Sequence, residues 1–129
     1  MANSGPMIHS GKAVWPTELV VKRAERVLHI AFDDGSSFAL SAEYLRTQSP
    51  SAEVQGHSEA ERKTIGGKQT VAITGAEPVG NYAVRLLFDD GHDTGLYSWS
   101  YLHELGQEYD KRWKKYLQEL ADKGLRRAP

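Results

Sequence analysis

The chain has no cysteine among its 129 residues. That absence excludes disulfides, thiolate nucleophiles, cysteine-held zinc and cysteine-ligated iron–sulfur clusters, and it accords with a reducing compartment. Charge of one sign is also missing: 16 Lys and Arg against 17 Asp and Glu give a net charge of −1, without the basic excess that nucleic acid or an anionic membrane surface would require. No stretch approaches the roughly 20 apolar residues of a membrane helix, and the opening "MANSGPMIHSGKAV" lacks the apolar centre of a signal peptide. The expectation is a soluble, cytoplasmic protein with neither nucleic acid nor membrane as partner. The length predicts one domain. Catalytic signatures are absent too: there is no Gly-x-Ser-x-Gly, no Walker loop and no His-Glu-x-x-His. "IGGK" at Ile65–Lys68 is too short for a phosphate loop and follows no strand. An enzyme is not expected.

What is present is a repeat. "LHIAFDDGSSFALSAEYL" and "VRLLFDDGHDTGLYSWSYL" share an apolar alternating run, the tetrapeptide FDDG, and a Ser followed by a Tyr-Leu pair. Register decides how each FDDG turns. A two-residue loop would mix large and small residues on both faces. A three-residue Asp33-Asp34-Gly35 loop pairs Ile30 with Phe38 and Leu28 with Leu40, and a one-residue slip would exchange the faces. This implies a type I turn closed by Gly35 in the left-handed conformation. Applied to the second copy, the same loop puts Val84 opposite Leu96, Leu86 opposite Thr94 and Phe88 opposite His92, with Gly91 closing the turn. Both tetrapeptides therefore read as turn chemistry, since two adjacent aspartates without a third ligand make a poor site for a hard cation.

Ser41 and Ser98 are natural N-caps for the helices that follow. Leu19 and Val21 in "WPTELVVK" belong to a first strand, and "TVAIT" predicts a strand that leads through "GAEPVGN" into the second hairpin. "SPSAEV" reads as a helical turn with Ser49 as cap and Pro50 in its first position. Gly106 interrupts the helix after Ser98. Beyond it, Tyr109, Trp113, Tyr116, Leu117 and Leu120 recur at helical spacing. The predicted fold is α+β in two layers. Its sheet of about six strands is built from two hairpin-plus-helix units, with helices over one face and a C-terminal amphipathic helix. The outer face carries His29, Ala31 and Arg85. Residues 1–14 read as a flexible tail, 15–122 as the domain, and 123–129 as a flexible basic tail.

The stretch "YDKRWKKYLQEL" mixes basic and aromatic residues, but Tyr109, Trp113 and Leu117 form one stripe, and Glu108, Asp110 and Glu119 dilute the charge. It reads as an ordinary docked helix. Of the five histidines, His9 falls in the tail, His29 on the outer sheet face, and His103 beside Glu104 without a recognisable motif. His57 and His92 flank tight polar segments. With Glu53 and Asp93 they would be chemically adequate for zinc or iron if the fold brought them together. The competing reading is that His92, opposite Phe88, packs at the core edge and hydrogen-bonds the backbone.

"WPTELVVK", "SPSAEVQGH" and "EPVGNYAVRLLFDDGHDTGLYSWSYL" together resemble the N-terminal-domain family of gamma-butyrobetaine hydroxylase, long listed as a domain of unknown function. The likeness runs from about Trp15 to Gly106. In full-length hydroxylases this domain precedes an iron- and 2-oxoglutarate-dependent catalytic domain that holds the iron ligands, so dioxygenase activity is not implied here. The hydroxylase domain holds zinc through three cysteines and a histidine. The cysteine positions fall on Ser49, Ser51 and Val54, and the histidine position on His92. With the thiolates gone, the resemblance implies no cofactor; zinc or iron around His57 and His92 remains the alternative. Similar domains are fused to ATPases of the iron–sulfur carrier type. The resemblance therefore implies a stand-alone, non-catalytic binding or adaptor domain with a protein partner, tied to iron-protein or iron–sulfur assembly.

Overall fold

The computed structural model describes residues 8–9, 12–56 and 62–129. The elements in chain order are β1 (Ile8–His9), β2 (Lys12–Ala13), β3 (Pro16–Lys22), β4 (Val27–Phe32), β5 (Ser37–Ser41), α1 (Ala42–Thr47), α2 (Ala52–Gln55), β6 (Ile73–Val79), β7 (Ala83–Phe88), β8 (Leu96–Ser98), α3 (Trp99–Gln107) and α4 (Tyr109–Asp122). No helix among the described residues is long and apolar enough to cross a membrane.

The strands form two antiparallel three-stranded sheets, β3-β4-β5 and β6-β7-β8, beside a short β1-β2 ladder. This corrects the expectation of one six-stranded sheet. The outer strands β3 and β6 approach each other but do not pair. Each carries a proline, Pro16 and Pro78, and each is interrupted by a register shift near its start, at Pro16/Glu18 and Ile73/Gly75. Proline lacks the ladder donor, and a bulge bends a strand away from regular pairing.

Each sheet and its following helix form one copy of the repeat, and the copies hold one another. In β4, Leu28, Ile30 and Phe32 are buried while His29 is exposed, as the alternation predicts. These side chains join Leu40, Tyr44 and Leu45 from the first copy and Val84, Leu86, Tyr97, Leu102 and Leu105 from the second in one core. Burying each large aliphatic or aromatic side chain contributes roughly 1.5–3 kcal/mol. Ser41 and Ser98 cap α1 and α3 by accepting from Tyr44 N and Tyr101 N. Tyr44 and Tyr101, at matched distances from those caps, then cross over. The Tyr44 hydroxyl donates to the Leu105 carbonyl at 2.7 Å, and the Tyr101 hydroxyl donates to the Gln48 carbonyl at 2.6 Å.

The FDDG aspartates divide the work in the same way in both copies. The first of each pair clamps the start of its own repeat. Asp33 N donates to Trp15 O and Asp89 N to Ala72 O, both at 2.9 Å, while the carboxylates accept from Trp15 N and Ala72 N. The second grips the other repeat's helix. Asp34 meets His103 Nε2 at 2.8 Å and Asp90 meets Arg46 Nε at 2.8 Å. Gly35 and Gly91 close the two turns at φ of 90° and 89°.

The β4–β5 register is the predicted one, with Ile30 opposite Phe38 and Leu28 opposite Leu40. The second hairpin keeps Phe88 opposite His92 next to the turn and then slips by one residue. Leu86 N meets Gly95 O instead of facing Thr94, and Val84 lies opposite Tyr97 instead of Leu96. The second copy is one residue longer between turn and helix cap, and the slip absorbs it. Tyr97 is thereby fully buried, and Leu96 is exposed.

Other expectations also change. The sixth strand spans Ile73–Val79, so "TVAIT" contributes only its end and "GAEPV" is strand. Gly106 does not interrupt α3. A Cβ there would lie 2.4–2.6 Å from the Phe38 ring, so the residue is small because helix and strand touch, and the break comes at Glu108. In α4 the inward stripe is Tyr109, Trp113, Tyr116 and Leu120, with Leu117 exposed. Val14, assigned to the tail, is buried. The basic end is docked rather than loose: Gly67 N donates to Arg126 O, and Arg127 pairs with Glu43. Alanine for glycine inside a helix ordinarily stabilises by about 1 kcal/mol. Here Gly106→Ala is expected to destabilise by roughly 1–3 kcal/mol through overpacking, with Phe38→Leu restoring part of the loss in denaturant unfolding; a stabilised Gly106→Ala would disprove the close contact.

Candidate functional site

The second hairpin delivers His92 to the segment between α1 and α2. Asp90 accepts from His92 N at 3.0 Å and fixes the turn. Burial works against the charge of Asp90, but Lys68, the His92 amide and Arg46 hold its carboxyl at about 2. The Asp34 carboxyl is likewise held at about 2, first by the Ser36 hydroxyl and amide and then by His103.

His92 is buried, at 6% exposure. Its Nε2 lies 2.9 Å from Ser49 Oγ and 3.5 Å from Ser51 Oγ, and its Nδ1 lies 3.1 Å from Glu53 Oε1. Burial, and then the Arg46 charge, push the imidazole below its ordinary value, although Glu53 and Asp90 pull the other way. A carboxylate only accepts, so the neutral ring carries its proton on Nδ1, and Nε2 accepts from the Ser49 hydroxyl. Ser49 Oγ also accepts from Ser51 N at 3.3 Å, while Gln55 Nε2 donates to Ser49 O at 2.7 Å. The helical turn starts later than predicted: its cap is Ser51, without a side-chain cap bond, and Ser49 and Pro50 lie before it. Val54 packs inward at 1% exposure. Gly95 completes the corner, because a Cβ there would sit 2.7 Å from Ser49 Oγ.

Carboxylate, imidazole and hydroxyl in this order have the arrangement that activates a serine nucleophile. Ser49 is fully buried, however, and nothing can reach its oxygen. The constellation is a hydrogen-bonded brace between the two repeats. Nor does the donor set suit zinc: Val54 has no lone pair to offer, the neutral hydroxyls of Ser49 and Ser51 are poor ligands, and the His92 Nε2 lone pair accepts from Ser49. No group of three or more His, Cys, Asp or Glu converges to hold a metal ion among the described residues. Of the other residues singled out in the sequence, Asp93 is exposed and turns to Arg85, accepting at its carbonyl and attracting the guanidinium by its charge. His57 lies outside the described residues.

A cleft of about 500 Å³ opens beside the same segment, between Gln48, Pro50 and Gln55 on one side and α3 and α4 on the other. Arg62, Lys111, Arg112 and Lys115 line it against Glu108 and Glu119. Arg112 is held over the Tyr101 ring at 5.7 Å and donates to Glu108 at 3.0 Å and to Gln48 Oε1 at 3.1 Å. Tyr116 donates to Ile65 O at 2.6 Å, and burial pushes its phenol up to about 12. The sequence reading missed this cleft because it judged α4 alone, and the basic residues acquire a shared direction only once Arg62 and the Gln48–Gln55 segment stand opposite.

Below the unfolded histidine value of roughly 6.5, the unfolded chain takes up a proton that buried His92 resists, so stability falls as pH drops. The melting temperature is expected to decline between pH 7 and 5, with His92→Asn flattening that decline. An equally steep decline in the variant would show that His92 does not sense this window.

A solution NMR structure superposes with a TM-score of 0.80 at 46% identity, covering 95% of this chain and 92% of that one. A second solution structure gives 0.78 at 44% identity, covering 89% and 90%. A crystal structure of a protein of unknown function from Acidithiobacillus ferrooxidans ATCC 23270, assigned to the DUF971 family, gives 0.60 at 35% identity, covering 70% and 91%. No curated protein sequence matches the chain. The family model described as gamma-butyrobetaine hydroxylase-like, N-terminal, matches residues 19–103, and the chain belongs to that family.

Proposed function

We propose that the protein is a non-catalytic binding module that docks an acidic segment of a protein partner in the cleft between the Gln48–Gln55 segment and α4. The observation that carries this reading is the lining: Arg62, Lys111, Arg112 and Lys115 stand against Glu108 and Glu119, with Arg62 paired to Glu119 and Arg112 shared between Glu104 and Glu108, in a chain whose net charge is −1. A local excess of one sign in a concave surface raises the concentration of oppositely charged groups and orients them. Tyr101 and Tyr116 add rigid flanking surface, and their hydroxyls are already committed to Gln48 O and Ile65 O. The partner class suggested by the family resemblance is an iron protein or an iron–sulfur carrier. A zinc or iron protein centred on His57 and His92 is the weaker reading. Among the described residues it would draw on the Glu53–His92 pair alone, with Ser49 and Ser51 as poor ligands.

The test is titration of the full chain with a short oligo-glutamate peptide at low and high salt. Binding should weaken as salt screens the charges, and Lys111→Glu with Lys115→Glu should weaken it by about tenfold or more at low salt, with the melting temperature checked for each variant. Peptide binding that ignores the double charge reversal, or no binding to the wild type at low salt, would refute the acidic-segment reading.

A further inference from the structure

Glu43 lies on the buried face of α1 at 5% exposure, where the second repeat places Ser100. Its ion partner comes from the far end of the chain. Arg127 forks onto it, with Nε 2.9 Å from Oε2 and Nη2 2.8 Å from Oε1. The same guanidinium lies over the Trp113 ring, 5.2 Å from its centroid. A planar fork matched to a carboxylate, with an indole face against it, is selective for arginine over lysine.

The backbone of that end is held as well. Gly67 N donates to Arg126 O at 2.8 Å, and Gln69 N donates to Arg127 O at 3.0 Å. A Cβ on Gly66 would sit 2.9 Å from Arg126 O, so the "IGGK" segment is bare where the two backbones meet. These two donors would serve any extended chain, because they read only carbonyls. By contrast, Leu125, Arg126, Ala128 and Pro129 are exposed, and Gly124, two residues past the end of α4, turns the chain in the left-handed region, with φ of 66°. Leu125 N returns to α4 by donating to Leu120 O at 2.9 Å, and beyond Leu125 the end segment is anchored by the Arg127 side chain and the two bonds to Gly67 and Gln69.

The geometry points to an arginine-receiving docking site, formed by Glu43, the Trp113 ring and the Gly67 and Gln69 amides. The chain's own Arg127 occupies it, and an arginine-bearing extended segment of a partner protein enters by displacing that strap. The receiving residues do not line the cationic cleft, and the ligand has the opposite charge, so the two sites stand or fall separately. A segment that is already chemically satisfied in the groove supplies the template for its competitor. A competitor must match the fork, the indole contact and the two carbonyls.

The probe is the synthetic peptide Gly-Leu-Arg-Arg-Ala-Pro, added to the full chain and followed by NMR at the Gly67 and Gln69 amides and the Trp113 indole. Arg127→Ala should bind it at least about tenfold more tightly than the wild type, because the competing strap loses its side-chain anchor and keeps only its backbone bonds. Adding Glu43→Gln should abolish that gain, and replacing the second arginine of the peptide by alanine should do the same. Arg127→Lys keeps the charge but loses the fork, and it takes the place of Arg127→Ala with the same expected order if the alanine variant does not fold. Wild type at high peptide concentration should show the same amides shifting. No shift at Gly67 and Gln69 in any of these proteins, or binding that is indifferent to Glu43→Gln, would overturn the proposal and leave Arg127–Glu43 as an internal tie.

Discussion

Three tyrosine hydroxyls cross between the repeats: fully buried Tyr97 donates to Leu45 O at 2.6 Å, and Tyr44 and Tyr101 make the symmetric exchange on which the rest of the fold depends. The last carbonyls of a helix have no partner within it, and α1 and α3 are too short to be stable alone. Tyr44 supplies a donor to Leu105 O near the end of α3, and Tyr101 supplies one to Gln48 O at the end of α1. Tyr44 is fully buried and Tyr101 partly so, and burial raises both pKa values further, so they remain protonated donors across the physiological range. Asp34 on His103 and Asp90 on Arg46 repeat the exchange at the surface. Neither three-stranded unit satisfies its own helix. Each completes the other.

The departures from this symmetry are where the distinctive chemistry collects. Where the first turn has Ser36, the second has His92, and the extra residue on that side lets the backbone at Gly95 close against Ser49. The outcome is the Glu53–His92–Ser49 brace, with His92 and Ser49 buried and Glu53 at the surface, which ties the second hairpin to the segment leaving α1. That segment in turn forms one wall of the cationic cleft. A second asymmetry puts Glu43 where its counterpart is Ser100, and it is this carboxylate that receives Arg127. Symmetric contacts join the repeats throughout, and the asymmetric ones add the His92 brace and shape the candidate binding surfaces.

Much of the first repeat was legible because side-chain size alone discriminated between registers: only one pairing placed Leu28 and Ile30 opposite Leu40 and Phe38. The second copy misled because the test assumed a regular ladder, and an added residue lets an irregular one bury Tyr97. "TVAIT" is richer in strand-forming residues than "GAEPV", yet the latter pairs along β7, where tertiary context overrides local preference. Gly106 reads as a helix breaker in local sequence, where its close contact with Phe38 leaves no mark. The family likeness is what groups Ser49, Ser51, Val54 and His92, and the structure sets the Ser49 and Ser51 hydroxyls 2.9 and 3.5 Å from His92 Nε2. The cleft and the arginine site join residues distant along the chain, and no periodicity announces such a meeting.

If each repeat depends on the other's tyrosine, the protein has one unfolding transition. Equilibrium denaturation of Tyr44→Phe and Tyr101→Phe, followed by far-ultraviolet circular dichroism and by tryptophan fluorescence, examines this directly. Each variant should lose about 1–3 kcal/mol, the cost of leaving a buried carbonyl without its donor. In each, the two signals should fall together in one cooperative transition. Separate transitions for the two signals, or a Tyr101→Phe loss confined to one signal while the other retains the wild-type midpoint, would show that the repeats are independent and that the exchange does not hold the fold.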